Sequence, residues 1–169
     1  RLRKVGYATG AVGKWHLGAA HVCHPNERGF EFFFGFLGGG HDYFLVDGRK
    51  PMGEGYFSPL DANGQPEPLD GYLTDVLTRA AVGFIKTVRP RPFFLYLAYN
   101  APHYPLHALP EDIARYKGRD LEGWDQLRIE RFQRMRESGI LTDLHKLSPA
   151  HPEAIPWEEV ENQEEMDFK

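Results

Sequence analysis

The chain has 169 residues, 41% of them hydrophobic and 14% aromatic, with a net charge of −4. A chain of that size and apolar content can bury about 70% of its unfolded surface in a packed core, which excludes wholesale disorder. Its 20 Lys and Arg residues collect into no stripe, which argues against a nucleic-acid partner, and no apolar run reaches the length of a membrane span.

A single cysteine, Cys23, excludes an internal disulfide framework and leaves the redox compartment open. The chain opens at Arg1 without an initiating Met and stops at Lys169 inside an acidic segment that reads as a new helix. The expectation is an internal piece of a longer protein, for which the absence of a targeting segment says nothing about location.

In chain order, Arg1 to Val5 reads as a last helical turn, its basic residues placed where the helix dipole favours them. Tyr7 to Val12 reads as a short strand running into a turn punctuated by Gly10, Gly13 and Gly18. Inside that turn sit Lys14 and His16. An extended backbone would put both on one face and Trp15 on the other, a cationic pair with an aromatic anchor behind it. His21, Cys23 and His24 follow in a polar loop whose spacing fits no standard zinc pattern, so solvated histidines are expected.

Gly29 to Phe44 carries Phe30, Phe32, Phe33, Phe34 and Phe36, a run that reads as core or pocket wall. Gly38-Gly39-Gly40 then places His41 and Asp42 on a ligand-accessible rim. Residues 45 to 70 read as a surface excursion with a hairpin at Asn63-Gly64.

From Tyr72 to Val88, apolar Leu73, Val76, Leu77, Ala80, Phe84, Ile85 and Val88 recur at spacings of three and four, which predicts a helix with one buried face. Pro90 and Pro92 stop it. Phe93 to Tyr99 is a continuous apolar run, the pattern of a strand buried on both sides of a parallel sheet, so helix and strand read as the second half of a βαβ unit. Ligands of open α/β sheets bind beyond the carboxyl ends of the strands. Lys14 and His16 on one side and His103 on the other lie just past two such ends, and Pro102 is expected to hold the imidazole of His103.

Pro110 to Lys117 reads as a short helix with Pro near its start. Gly123 to Ser138 reads as a longer one, with Trp124, Leu127, Phe132 and Met135 on one side, Arg and Glu on a solvated face with i,i+4 pairs, and Gly139 as the stop. Pro149, Pro152 and Pro156 mark an irregular connector before the helix that begins at Trp157.

One Lys and two histidines at a common edge suit a tetrahedral oxyanion, with histidine able to exchange a proton near neutral pH. GYATGAVGKWHLG resembles the second signature of the sulfatase family, and PFFLYLAYNAPHYPLHA resembles that family's strand and Ala-Pro-His loop. Between them, HPNERGFEFFFGFLGGGHDYF resembles the aromatic segment of arylsulfatase-like members. YKGRDLEGWDQLRIERFQRMRESGI resembles an insertion of a bacterial arylsulfatase subgroup.

The resemblance implies a partial alkaline phosphatase/sulfatase-like α/β fold: a mixed, mostly parallel sheet flanked by helices, with strands missing at both ends. It makes residues 1–169 an internal part of an N-terminal catalytic domain, 118–169 being a helical insertion and the start of a further helix. Lys14 would bind the sulfate and the nucleophile's oxygen, His16 would act on the nucleophile's hydroxyl, and His103 would contact the sulfate and assist the departing alcohol or phenol. Apart from the resemblance, the rim position expected of His41 and Asp42 would add them to substrate binding.

The family's formylglycine motif does not occur here, and Cys23 is followed by His24, Pro25 and Asn26. The nucleophile and the ligands of a calcium or magnesium ion are therefore expected outside this chain, with no metal ligand within it. The implied partner is a sulfate ester of a small molecule or glycan, and the analogy favours a periplasmic or secreted protein. A phosphoryl-transfer relative of the same superfamily and an inactive anion-binding segment stay open as alternatives.

Overall fold

A computed structural model describes residues 1–44 and 59–167. Two compact units divide the chain, Arg1–Ala108 and Leu109–Lys169.

The first unit is built on a five-stranded sheet. Its strands are β1 (Ala8–Lys14), β2 (Phe32–Phe36), β3 (Leu60–Ala62), β4 (Gln65–Glu67) and β5 (Phe93–Ala98), in the order β4-β3-β2-β1-β5. β1 pairs in parallel with both β2 and β5, while β2-β3 and β3-β4 are antiparallel, so the sheet is mixed with its parallel pairs centred on β1. One helix, α1 (Leu73–Val88), packs on β1, β2 and β5.

Pleating explains how the aromatic run is used. Alternate residues of a strand face opposite sides, and Phe36 joins Val12, Tyr43, Leu60 and the α1 residues Leu73, Val76, Leu77 and Ala81 in one buried cluster, with Phe32 and Phe34 packed against it. Phe33 joins Ala11 and Trp15 in a second cluster, with Phe30 and Leu37 against it. The run is core and wall together, as its composition suggests.

The helix keeps the expected phase, and the hairpin forms at Asn63-Gly64, where φ is 54° and 83°, the pair of positive values a two-residue turn of this kind requires. Residues 45–58 of the expected surface excursion lie outside the described residues.

Four expectations change. Gly10 and Gly13 do not form a turn but lie inside β1, which runs on to Lys14. Gly10 faces the ring of Phe84, and a Cβ on Gly13 would overlap the Ala98 carbonyl, so the glycines serve close packing rather than chain reversal. β5 is an edge strand, with Phe94 43% and Tyr96 42% exposed, because no strand lies beyond it among the described residues. His24 is not solvated: its Nε2 lies 3.0 Å from Asp61 Oδ2 and its ring meets Phe33 edge-on. Its Nδ1 accepts from the Asn26 amide at 3.3 Å, so Nε2 carries the proton and donates to Asp61. Finally, Trp157 opens only a 3-10 turn, Trp157–Glu159, and the terminal helix starts later, at Gln163.

The second unit carries α2 (Pro110–Tyr116), with Pro at its first position, α3 (Gly123–Glu137) and α4 (Gln163–Asp167). Its organising contact is aromatic. Trp124 and Trp157 meet edge-to-face at 4.8 Å, each indole N–H donating to a backbone carbonyl, of Ile155 and Leu121 respectively. Glu130 and Arg134 form the expected i,i+4 pair on α3.

Candidate anion-binding edge

Three loops leave the carboxyl ends of parallel neighbours. Register places Gly13 beside both Gly35 and Ala98, so the residues after Lys14, after Phe36 and after Ala98 emerge along one edge of the sheet. Lys14 closes β1 opposite Phe36 and is half-buried.

His16 follows two residues later with φ 52°, a left-handed backbone that a side-chain-bearing residue adopts at a cost. The expected alternation of Lys14 and His16 along an extended chain therefore does not describe this segment. Backbone hydrogen bonds hold it instead: Trp15 N–H donates to Phe36 O at 3.0 Å and His16 N–H to Leu37 O at 3.2 Å. Trp15 is the expected anchor, 8% exposed, its indole donating to the Cys23 carbonyl at 2.9 Å.

His103 is exposed. Its amide donates to Asn100 O at 2.8 Å, and its Nδ1 lies 2.6 Å from the Tyr104 carbonyl, which can only accept. The proton therefore sits on Nδ1, and Nε2 is the atom left to exchange a proton with a ligand. The Tyr104 carbonyl, rather than Pro102, holds the imidazole.

Lacing between the loops is extensive. The Asn100 amide donates to His41 O at 2.8 Å, the Tyr43 hydroxyl donates to His103 O at 2.9 Å, and the His16 imidazole lies against Gly39. Each of these contacts ties the loop after β2 to one of its two neighbours. Tyr43 is 1% exposed, and burial, reinforced by Tyr72 nearby and offset by Asn100, pushes its phenol up to about 12.

His41 and Asp42 do not line an accessible rim. They are 2% and 8% exposed, and His41 Nδ1 lies 2.7 Å from the Asp42 carbonyl. The loop folds inward there because Tyr43 enters the core, where its carbonyl accepts from the first amide of α1 at 2.8 Å. Asn100, 4% exposed, was not singled out by sequence although it directly follows the β5 run, and Tyr43 gave no signal beyond being one aromatic among many.

Among the described residues, no group of three His, Cys, Asp or Glu side chains could hold a metal ion. The described residues therefore do not fit a divalent ion. Nor is any helix among the described residues long and apolar enough to cross a membrane.

Such an edge, parallel strand ends bearing Lys and His, is a candidate site on an α/β sheet. Known proteins give it a family: the sequence model of the Sulfatase family matches residues 1–159, and the chain belongs to that family. It is 35% identical to an arylsulfatase of Klebsiella aerogenes over 148 residues, 85% of this chain and 32% of that protein. It is 40% identical to arylsulfatase J of Mus musculus over 112 residues, 64% of this chain and 19% of that protein.

Among solved structures, Ps i-CgsB in complex with k-i-k-neocarrahexaose superposes with a TM-score of 0.61 at 46% identity, covering 68% of this chain and 28% of that one. The chain thus spans about a third or less of the length of these relatives.

Proposed function

We propose that the whole protein carrying this chain is an arylsulfatase-like sulfuric ester hydrolase, cleaving a sulfate monoester to an alcohol or phenol and sulfate. The observation that carries the reading is the parallel register of β1 with β2 and β5, which brings the Lys14/His16 segment and the His103 loop to one edge.

Lys14 binds the anionic group. An ammonium about 4 Å from a unit negative charge contributes roughly 4 kcal/mol at an effective dielectric near 20, before its desolvation is set against it. His103, with Nδ1 committed to Tyr104 O, offers Nε2. As imidazolium it carries a second proton on Nε2 and hands that one to the departing ester oxygen, the atom on which negative charge develops, keeping the Nδ1 proton on Tyr104 O. His16 takes the second acid-base position, withdrawing the proton from the nucleophile's hydroxyl as sulfate leaves.

By family resemblance the nucleophile is a formylglycine and the divalent ion is calcium or magnesium, both supplied from outside these residues. The 169-residue chain alone therefore gives no turnover. Likeness to Ps i-CgsB, whose complex holds a hexaose, supports a glycan sulfate as the substrate class.

The test is sulfate release by the whole protein from an aryl sulfate, run beside the matching aryl phosphate. Preferential sulfate release is expected, and a preference for the phosphate would move the protein to the phosphoryl-transfer branch. Reading the coding sequence beyond both ends for the nucleophile motif separates an active parent from an inactive one.

A further inference from the structure

We propose that Gly39 is a positioning residue for His16: the missing side chain at 39 leaves the space in which the Nε2 edge of that imidazole stands. The inference rests on the acid-base role given to His16 above and adds a residue from a different strand's loop to that role.

A Cβ built on Gly39 would lie 2.8 Å from His16 Nε2, 2.9 Å from Cε1 and 3.4 Å from Cδ2. All three distances are to the end of one imidazole, and the first two are closer than packed side chains sustain. The backbone around His16 has little freedom to relieve the overlap. Its φ is 52°, its amide donates to Leu37 O and that of Trp15 to Phe36 O, and Trp15 itself is buried and hydrogen-bonded through its indole.

Relief must come from rotation of the imidazole. Gly39 itself does not have the left-handed backbone that would exclude a side chain, so alanine suits the local conformation there. Gly13 and Gly35 differ in kind: a Cβ on either would overlap backbone of a neighbouring strand, which cannot swing aside. Glycine at 39 is therefore a requirement of the site, while glycine at 13 and 35 is a requirement of the sheet.

The experiment places Gly39→Ala, His16→Ala and the double variant in the whole protein, with Gly83→Ala as a control because a Cβ there meets nothing within 4 Å. Two readouts are taken: kcat/KM across pH on an aryl sulfate, and the rate at which diethyl pyrocarbonate carbethoxylates His16 and His103, read by mass spectrometry.

Gly39→Ala is expected to lower kcat about 10-fold to 100-fold, the scale of a displacement near 1 Å, with a smaller change in KM. It should displace the pH profile and alter the modification rate at His16 but not at His103, while Gly83→Ala matches wild type. In the His16→Ala background the added methyl should have no further effect on kcat. If Gly39→Ala fails to fold while the double variant folds, the clash with the imidazole is shown directly.

Wild-type kcat with an unchanged His16 modification rate overturns the proposal, as does an equal loss of kcat in both backgrounds. Full activity of His16→Ala also overturns it. That last result removes the acid-base role itself, and the modification rate then still reports whether Gly39 sets the imidazole's position.

Discussion

The phenolic hydroxyl of Tyr43 donates to the backbone carbonyl of His103 at 2.9 Å, joining a residue inside the core to a loop 60 positions away. Substituting Tyr43→Phe keeps the ring and removes that bond. We expect a loss of about 1 kcal/mol in unfolding free energy, and a several-fold fall in kcat as the His103 loop loosens, measured by denaturant unfolding and steady-state kinetics on the whole protein.

The same phenol sets an alkaline limit. Unfolded, Tyr43 ionises at its ordinary value of 10, whereas burial holds its proton in the folded state up to about 12. Its contribution is complete below pH 10 and is lost as pH rises from 10 through 12, amounting to roughly 2 to 3 kcal/mol. Unfolding free energy measured across that window should fall in wild type and fall less in Tyr43→Phe.

Gly35→Ala should not be tolerated. Its Cβ would overlap the backbone of Gly13 in the neighbouring strand, and separating β1 from β2 would break the parallel pairing that forms the edge. A destabilisation of about 3 kcal/mol or more is expected, seen as loss of soluble protein or a lowered unfolding midpoint.

Asp61 holds the hairpin to the loop after β1, accepting from His24 Nε2 at 3.0 Å and from the Gly64 amide at 2.6 Å. Asp61→Ala leaves both donors without their acceptor and should cost about 1 to 3 kcal/mol. Because none of these three residues belongs to the candidate edge, kcat per folded molecule should stay within about twofold, on the usual locality of such effects. A large drop in kcat at unchanged stability would place the hairpin in the site.

The exposed strand β5 predicts association of the isolated chain. Phe94, Tyr96 and Leu97 are exposed on a strand that ends the sheet's order, and such edges offer backbone groups to a second chain. Sedimentation of the 169-residue chain should show oligomers, and Phe94→Lys with Tyr96→Lys should return it to monomer.

Local patterns carried much of this structure. The α1 periodicity, the Asn-Gly turn and the placement of His16 and His103 past strand ends were readable because each depends on a few neighbouring residues, whereas Lys14 proves to be the last residue of β1 itself. What was not readable depends on pairing between distant segments. Gly10 and Gly13 look like turn formers until β2, β5 and Phe84 are seen packed on them. His24 looks solvated until Asp61 arrives from the hairpin, 37 residues later.

His41 and Asp42 misled for the same reason. A triple glycine suggests an open rim, yet Tyr43 beside it is drawn into the core and takes both residues under cover. In β5 the apolar run was read correctly as a strand, and its exposure follows from its place at the sheet's edge.

The most direct test is the rate of sulfate release from an aryl sulfate by the whole protein, compared with its Lys14→Ala and His103→Ala variants at equal folded concentration. The account predicts turnover in wild type and losses of about 10² to 10⁴ in kcat for His103→Ala, the range for removal of a general acid, with a comparable loss in kcat/KM for Lys14→Ala. Wild-type protein that releases no sulfate, or variants as fast as wild type, would contradict it.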